Sequence, residues 1–366
     1  MSKITRDEFA RQFARFIGKY DRFLISGHIR PDGDSIGACF SLGHALVQMG
    51  KEVLIITDGD AKRYVELMDP LPMFPEDRPV KDAQRLFATG RNYAFVILDC
   101  SEPERTGRAA QAIMYAEASI TIDHHITSKE AADFNYAEPQ ISSASELLYW
   151  LYKLCAVPIS RSMGKALFMG LVYDTGGLRH SSTTADSFQM AADLKRKGVD
   201  TTYLTNKLLH TKKLAEMKAL SAAISASRLY KGVTPEGEEI QILISYLSLG
   251  DMNRGGFTGS ECDGVVSLLN EIEEAETSVF MRELSNGTIR VNMRSKHVLD
   301  VARVAALFGG GGHVRAAGCT LTVSASAAKA QLLEAMSHQL SALEGIPGEI
   351  QNAGNHEGSE AGDASI

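Results

Sequence analysis

The stretch FLISGHIRPDGDSIGA, residues 23–38, reads as a strand, a turn and the start of a helix in immediate succession. FLIS is a short apolar run of the kind that is buried on both faces in a parallel sheet. A helical pattern over about 34–49 follows and closes at Gly50. Between the two, His28, Asp32 and Asp34 crowd into one short loop. Two carboxylates and an imidazole that close together repel or compete unless something positive lies between them.

Three further runs repeat the strand pattern: EVLIIT (52–57), AFVILD (94–99) and SITID (119–123). This βαβ grammar predicts an N-terminal α/β domain on a mostly parallel sheet. The carboxyl ends of its strands then share one edge, where ligands bind. His28, Asp32 and Asp34 follow the first strand, Asp99 closes the third, and Asp123, His124 and His125 close the fourth. Asp174 ends another apolar run, ALFMGLVYDTGG, just before a Gly-Gly break. Taken singly, each such Asp is explained as well by helix capping or a turn, and Asp34 by capping the helix that follows it. The whole set, with adjacent histidines at one strand end, is better explained by a dinuclear metal site. Carboxylates with imidazoles suit Mn²⁺, with Fe, Co, Zn or Mg as lesser candidates. Such an ion pair serves phosphoryl transfer, holding the attacking and the leaving oxygen.

Around this core, Phe9, Phe13, Phe16, Ile17 and Tyr20 space as an amphipathic helix, and 144–154 and 162–174 read as helices. From 183 to about 230 the pattern is helical and more polar, until KGVTPEGEE breaks it. A smaller α/β module follows, with strands IQILISYL, SVFMREL, IRVNMRS and CTLTVS and helices near 263–273, 298–308 and 325–343. The expected organisation is a metal-binding domain over 1–185, a helical connector over 186–235, a second domain over 236–345 and a disordered tail over 346–366.

The 366 residues carry a net charge of −7, which argues against a protein that coats duplex DNA but leaves small anionic substrates open. Cys39, Cys100, Cys155, Cys262 and Cys319 have no framework or zinc-ligand spacing, so reduced thiols in a cytoplasmic protein are expected. No apolar run nears the roughly 20 residues of a membrane span, and no signal peptide opens the chain.

HIRPDGDSIGA (28–38), VILDC (96–100), IDHH (122–125) and LVYDTGGLR (171–179) resemble, in order and spacing, the four motifs of the DHH phosphoesterase superfamily. FGGGGHVRAAG (308–318) resembles the glycine-rich signature of the C-terminal domain that accompanies one branch of it. The resemblance implies one metal on His28, Asp32 and Asp99 and a second on Asp34, Asp99, His124 and Asp174, with Asp99 bridging. It implies that His125 faces the substrate phosphate and that Asp123 orients a histidine. Two divalent ions are implied, Mn²⁺ first, with Mg²⁺ or Co²⁺ as alternatives. Gly309–Gly312 let backbone N–H groups approach a phosphate, and Gly310, Gly311, Gly312, His313 and Arg315 are candidate substrate contacts. Arg294 resembles a family arginine that contacts substrate phosphate, a task guanidinium suits. Lys296 and His297 read as solvated surface.

The family's larger exonucleases and membrane-bound phosphodiesterases carry segments not seen here. The resemblance therefore points to the compact group that degrades short RNA to mononucleotides and dephosphorylates 3′-phosphoadenosine 5′-phosphate (pAp) to AMP. The site would lie in a cleft between the two domains. Stand-alone pApA or cyclic di-AMP hydrolysis is the alternative, and an inert nucleotide sensor on the same fold is the alternative of another class. The complete ligand set speaks against the sensor. Substrates and partners are thus short RNA and small nucleotides, without duplex DNA or membrane, and a homodimer is an assembly the sequence allows.

Overall fold

The computed structural model describes residues 4–90, 92–125 and 132–344. The expected tail, 346–366, lies outside them. The chain divides into two units, Met1–Thr211 and Lys212–Ile366.

The first unit runs α1 (Arg6–Lys19), β1 (Arg22–Ser26), α2 (Gly33–Gln48), β2 (Glu52–Ile56), α3 (Lys62–Val65), β3 (Ala94–Leu98), β4 (Ala118–Asp123) and β5 (Phe134–Ala137). It continues with α4 (Ala144–Leu154), α5 (Arg161–Asp174), α6 (Ala185–Arg196) and α7 (Thr201–Thr205). Its five strands pair parallel in the order β2-β1-β3-β4-β5. Alternate residues bury opposite faces. Phe23, Ile25, Val96, Leu98, Ile120 and Ile122 pack with the helices, while Leu24, Leu54, Phe95 and Ile97 form a core with Phe74 and Tyr93 on the other side. The unbroken apolar runs follow from this double burial. The chain leaves β1 toward β2 and returns to β1's other side as β3. That reversal makes a topological switch point, where the diverging loops leave a crevice. The first helix forms as its spacing predicts, with a Thr5–Glu8 capping box and Phe9, Phe13, Phe16 and Ile17 buried. Strand β5 was not expected. Only four residues long and at the sheet edge, it is held by Tyr136, whose ring stacks on Phe9 at 4.3 Å.

The second unit runs α8 (Leu214–Ser225), β6 (Arg228–Val233), β7 (Glu239–Leu247), α9 (Leu249–Gly255), α10 (Val265–Leu269), β8 (Thr277–Glu283) and β9 (Ile289–Ser295). Then come α11 (Val301–Ala306), β10 (Gly311–His313), β11 (Ala316–Leu321), α12 (Ala325–Ser337) and β12 (Ala342–Leu343). The sheet order is β10-β11-β9-β8-β7-β6-β12, with β7 and β8 parallel and the other pairs antiparallel. The helical reading up to residue 230 overshoots. The helix stops at Ser225, and Arg228–Val233 pairs with β7 as a strand of this sheet. Helix 263–273 shrinks to Val265–Leu269 because Gly264, at φ +87°, starts it. Helix 298–308 shrinks to Val301–Ala306, where Asp300 caps the N–H groups of Ala302 and Arg303. The last helix ends at Ser337, and Ala342–Leu343 adds to β6. No helix among the described residues is long and apolar enough to cross a membrane. All five cysteines are free thiols.

Candidate metal centre

The loop after β1, the ends of β3 and β4 and the last turn of α5 bring the predicted acids and histidines together. His28 donates Nδ1–H to the Ile29 carbonyl at 2.8 Å, which aims Nε2 at Asp99 Oδ2 (3.3 Å) and Asp32 Oδ2 (3.6 Å). His124 Nε2 lies 3.2 Å from Asp174 Oδ2, 3.3 Å from Asp99 Oδ1 and 4.0 Å from Asp34 Oδ2. Asp99 thus gives one oxygen to each group. The trios His28, Asp32, Asp99 and Asp34, His124, Asp174 each present donor atoms within 4.8 Å of one another.

Several of these residues also hold the local fold. Asp32, not Asp34, caps α2: its Oδ1 accepts the N–H groups of Asp34 and Ser35 at 3.0 Å, leaving Oδ2 for the site. Asp34 instead caps α4, accepting from Ala144 at 2.7 Å and Ser145 at 2.9 Å, and is fully buried. Asp99 stands at φ +58°, a left-handed conformation that Asp tolerates better than most residues. Its N–H donates to the Ile122 carbonyl at 3.0 Å, tying β3's end to β4. Asp123 Oδ1 accepts from the backbone N–H groups of His124 (2.8 Å) and His125 (3.2 Å) and from His125 Nδ1 (2.7 Å). His125 Nδ1 also lies 3.8 Å from Asp99 Oδ1, but its bond to Asp123 commits it, leaving Nε2 to point elsewhere.

Two glycines that the sequence reading passed over set this geometry. A Cβ on Gly37 of α2 would lie 2.6 Å from the Ala166 carbonyl of α5. A Cβ on Gly170 of α5 would lie 2.0 Å from Ser145 Oγ and 2.3 Å from Asp34 Oδ1. The helices meet backbone to backbone, and Asp34 sits in the resulting contact. Glycine inside two helices, where it costs about 0.5–1 kcal/mol against Ala, is the signal that could have found them.

The site's electrostatics call for positive charge. Burial opposes protonation of His28, but Asp32 and Asp99 push its pKa up to about 10. Burial likewise opposes protonation of His124, and Asp174 and Asp99 push it up to about 11. Burial raises Asp174 to about 6, His124 pulling the other way. Burial, Asp174 and Asp99 lift Asp34 well above the carboxylate range. Burial would raise Asp99 too, but His124 and His28 hold it below its ordinary value. Protons here do the work of cations. A divalent pair fits the residues present: Asp99 Oδ1 and His124 Nε2 face each other at 3.3 Å, both buried and neither in a hydrogen bond. Once Nε2 of His124 gives up its proton, its lone pair and that of Asp99 converge and suit an ion in the proton's place, and an all-oxygen-and-imidazole donor set suits Mn²⁺, Mg²⁺ or Co²⁺.

The second-unit candidates separate. Arg294, on β9, is partly buried, bonds only the neighbouring Met293 carbonyl among described partners, and has its pKa lowered by burial. Arg315 is committed to the fold, donating to the Leu299 carbonyl at 3.0 Å and to Ser295 Oγ at 3.3 Å. Gly310 and Gly312 are needed for packing: a Cβ would meet the Gly318 carbonyl at 2.3 Å and the Ala316 carbonyl at 2.4 Å. Gly311 is open and exposed, and His313 beside it is exposed. Lys296 is no free surface residue, since its ammonium donates to the Ile272 carbonyl at 2.7 Å.

The parallel sheet, the carboxylate and histidine cluster at its switch point and the glycine-hairpin domain define a phosphoesterase class whose clustered side chains could hold divalent metal. The chain belongs to the DHH superfamily: the model of the DHH family N-terminal domain matches residues 22–171, and that of the DHHA1 domain matches 239–342. It is a hydrolase of phosphate esters. It is 26% identical over 318 residues to the bifunctional oligoribonuclease and PAP phosphatase NrnA of Thermus thermophilus, covering 86% of this chain and 89% of that one. It is 28% identical over 335 residues to the cyclic-di-AMP phosphodiesterase GdpP of Geobacillus thermodenitrificans, covering 87% of this chain and 48% of that one. An exopolyphosphatase-related protein from Bacteroides fragilis shares the fold, with a TM-score of 0.80 at 22% identity over 92% of this chain and 98% of that one.

Proposed function

We propose that this protein hydrolyses short oligoribonucleotides to mononucleotides and pAp to AMP, using two divalent ions, Mn²⁺ first. The observation that carries the substrate is the likeness to NrnA, which covers 86% of this chain and 89% of that one. His28, Asp32 and Asp99 would hold one ion, and Asp34, Asp99, His124 and Asp174 the other. Two such ions would supply an activated water and stabilise charge on the phosphoryl oxygens. The chain's own residues do the rest. Asp99 fixes both groups of ligands to one carboxylate. Asp123 locks the His125 ring so that Nε2 faces the substrate phosphate. Arg294, with Gly311 and His313 beside it on the second unit, takes a phosphate of the substrate.

A second reading, hydrolysis of pApA or cyclic di-AMP, is favoured by the 28% identity to GdpP. The test is turnover by the purified full chain with Mn²⁺ on pAp, pApA, cyclic di-AMP and RNAs of two to five nucleotides. Release of AMP from pAp and of mononucleotides from RNA is expected. Turnover confined to pApA or cyclic di-AMP would replace the first reading with the second, and turnover of none would refute both.

A further inference from the structure

The second unit carries a cationic, aromatic cavity that the phosphoesterase reading does not use. It is a recess of about 160 Å³, open to solvent where α12 begins over β6, β7 and β8, and so of a size to seat part of a nucleotide rather than enclose one. Arg228 and Tyr230 alternate along β6, Ile244 and Tyr246 along β7. The register pairs Arg228 with Ile244 and Tyr246 with Met281, so these side chains share one face of the sheet. Lys329 reaches across from α12, its ammonium 5.8 Å from the centre of the Tyr230 ring.

Among the described residues, no acidic side chain lines the cavity. Arg228 bonds only the Ser227 carbonyl, and neither it nor Lys329 has a carboxylate partner among the described residues. Lys329 is half-buried, as are both tyrosines. Lys329 is thus a partly desolvated cation with no counter-ion among the described residues, which is costly, and the exposed Arg228 at the rim adds a second unpaired cation to the same apolar-floored recess on a chain of net charge −7. An anion relieves that cost. The rings add a second requirement, because Tyr faces stack on planar heterocycles and sit beside cations in nucleotide sites.

We propose that this cavity is a nucleotide-binding site separate from the metal centre, Arg228 and Lys329 taking the phosphate and Tyr230 or Tyr246 the base. Within the sheet it lies on β6–β8, while the glycine hairpin lies at the far edge on β10. It is thus no extension of that hairpin.

The test uses the full chain in EDTA with AMP as probe, so that hydrolysis and the metal centre play no part. Hydrogen exchange should slow in 228–233, 244–247 and 325–330 on adding AMP. The double variant Arg228→Ala/Lys329→Ala should abolish that protection and weaken AMP binding there about tenfold or more, with an unchanged melting temperature. Tyr230→Leu should weaken AMP but spare inorganic phosphate. AMP binding without protection of these segments would overturn the proposal. So would inorganic phosphate protecting them as well as AMP does, which would leave a phosphate site without a base pocket.

Discussion

Gly170→Ala adds one methyl group to a helix and removes no metal donor, yet it should impair the metal centre. The new Cβ would lie 2.0 Å from Ser145 Oγ and 2.3 Å from Asp34 Oδ1, where real Cβ contacts stay beyond 3.0 Å. The contact must open by roughly 0.7–1 Å, in a core packed too tightly to absorb it. Asp34 cannot yield freely, because its two oxygens hold the Ala144 and Ser145 N–H groups at 2.7 and 2.9 Å. Overpacking costs about 1–3 kcal/mol. Weakening one hydrogen bond to Asp34 adds about 0.5–1.5 kcal/mol, and Ala's helix preference returns up to about 1 kcal/mol. The net is a loss of about 0.5–4.5 kcal/mol, at about 2–4 °C in Tm per kcal/mol for a unit of this size. Thermal unfolding and Mn²⁺ calorimetry measure the two effects, and the affinity for Mn²⁺ should fall with the stability. Gly18→Ala, in α1 with nothing within 4 Å of its Cβ, is the control and should be neutral or slightly stabilising. Wild-type Tm and Mn²⁺ affinity in Gly170→Ala would refute the close-contact reasoning.

Asp123→Asn should retain metal, measured by elemental analysis, while lowering kcat about 10–100-fold, because the charged partner of His125 Nδ1 is lost; metal loss instead would make Asp123 a ligand. Arg294→Ala should cut kcat/KM on nucleotides by about 10–100-fold and affect a small artificial diester far less. Arg315→Ala should mainly lower Tm, since its guanidinium bonds Leu299 and Ser295; equal activity losses on both substrates in both variants would count against a remote phosphate reader. Burial opposes ionisation of Glu276, but bonds from Thr277, Val298, His297 and Ser295 lower its pKa, so its stabilisation is full above the unfolded pKa near 4.5 and fades as the pH falls through the folded value. Glu276→Gln should therefore destabilise the chain at pH 7 more than at pH 3, by urea titration; an equal difference at both would contradict it.

The convergence of the candidate residues was legible because parallel topology alone gathers strand ends: Asp99 follows β3, and Asp123, just before His124, ends β4 as the apolar run stops, and no side-chain geometry is needed to see that. What stayed hidden depends on long-range packing. Asp34 looked like a cap for its own helix, and its actual partner, α4, begins more than a hundred residues later. The strand Arg228–Val233 follows an alanine-rich helical run without a clear break, and only pairing with β7 makes it a strand. Four consecutive glycines resembled a phosphate loop, and backbone contacts assign two of them to packing of the β10–β11 hairpin.

The central claim is that Asp99 ties two ions into one centre. A crystal of the full chain grown with Mn²⁺, measured at the manganese absorption edge, tests it most directly. Two anomalous peaks about 3.5–4 Å apart are predicted, one beside His28 and Asp32 and one beside Asp34, His124 and Asp174, with an Asp99 oxygen on each. A single peak, or two peaks that do not share Asp99, would contradict it.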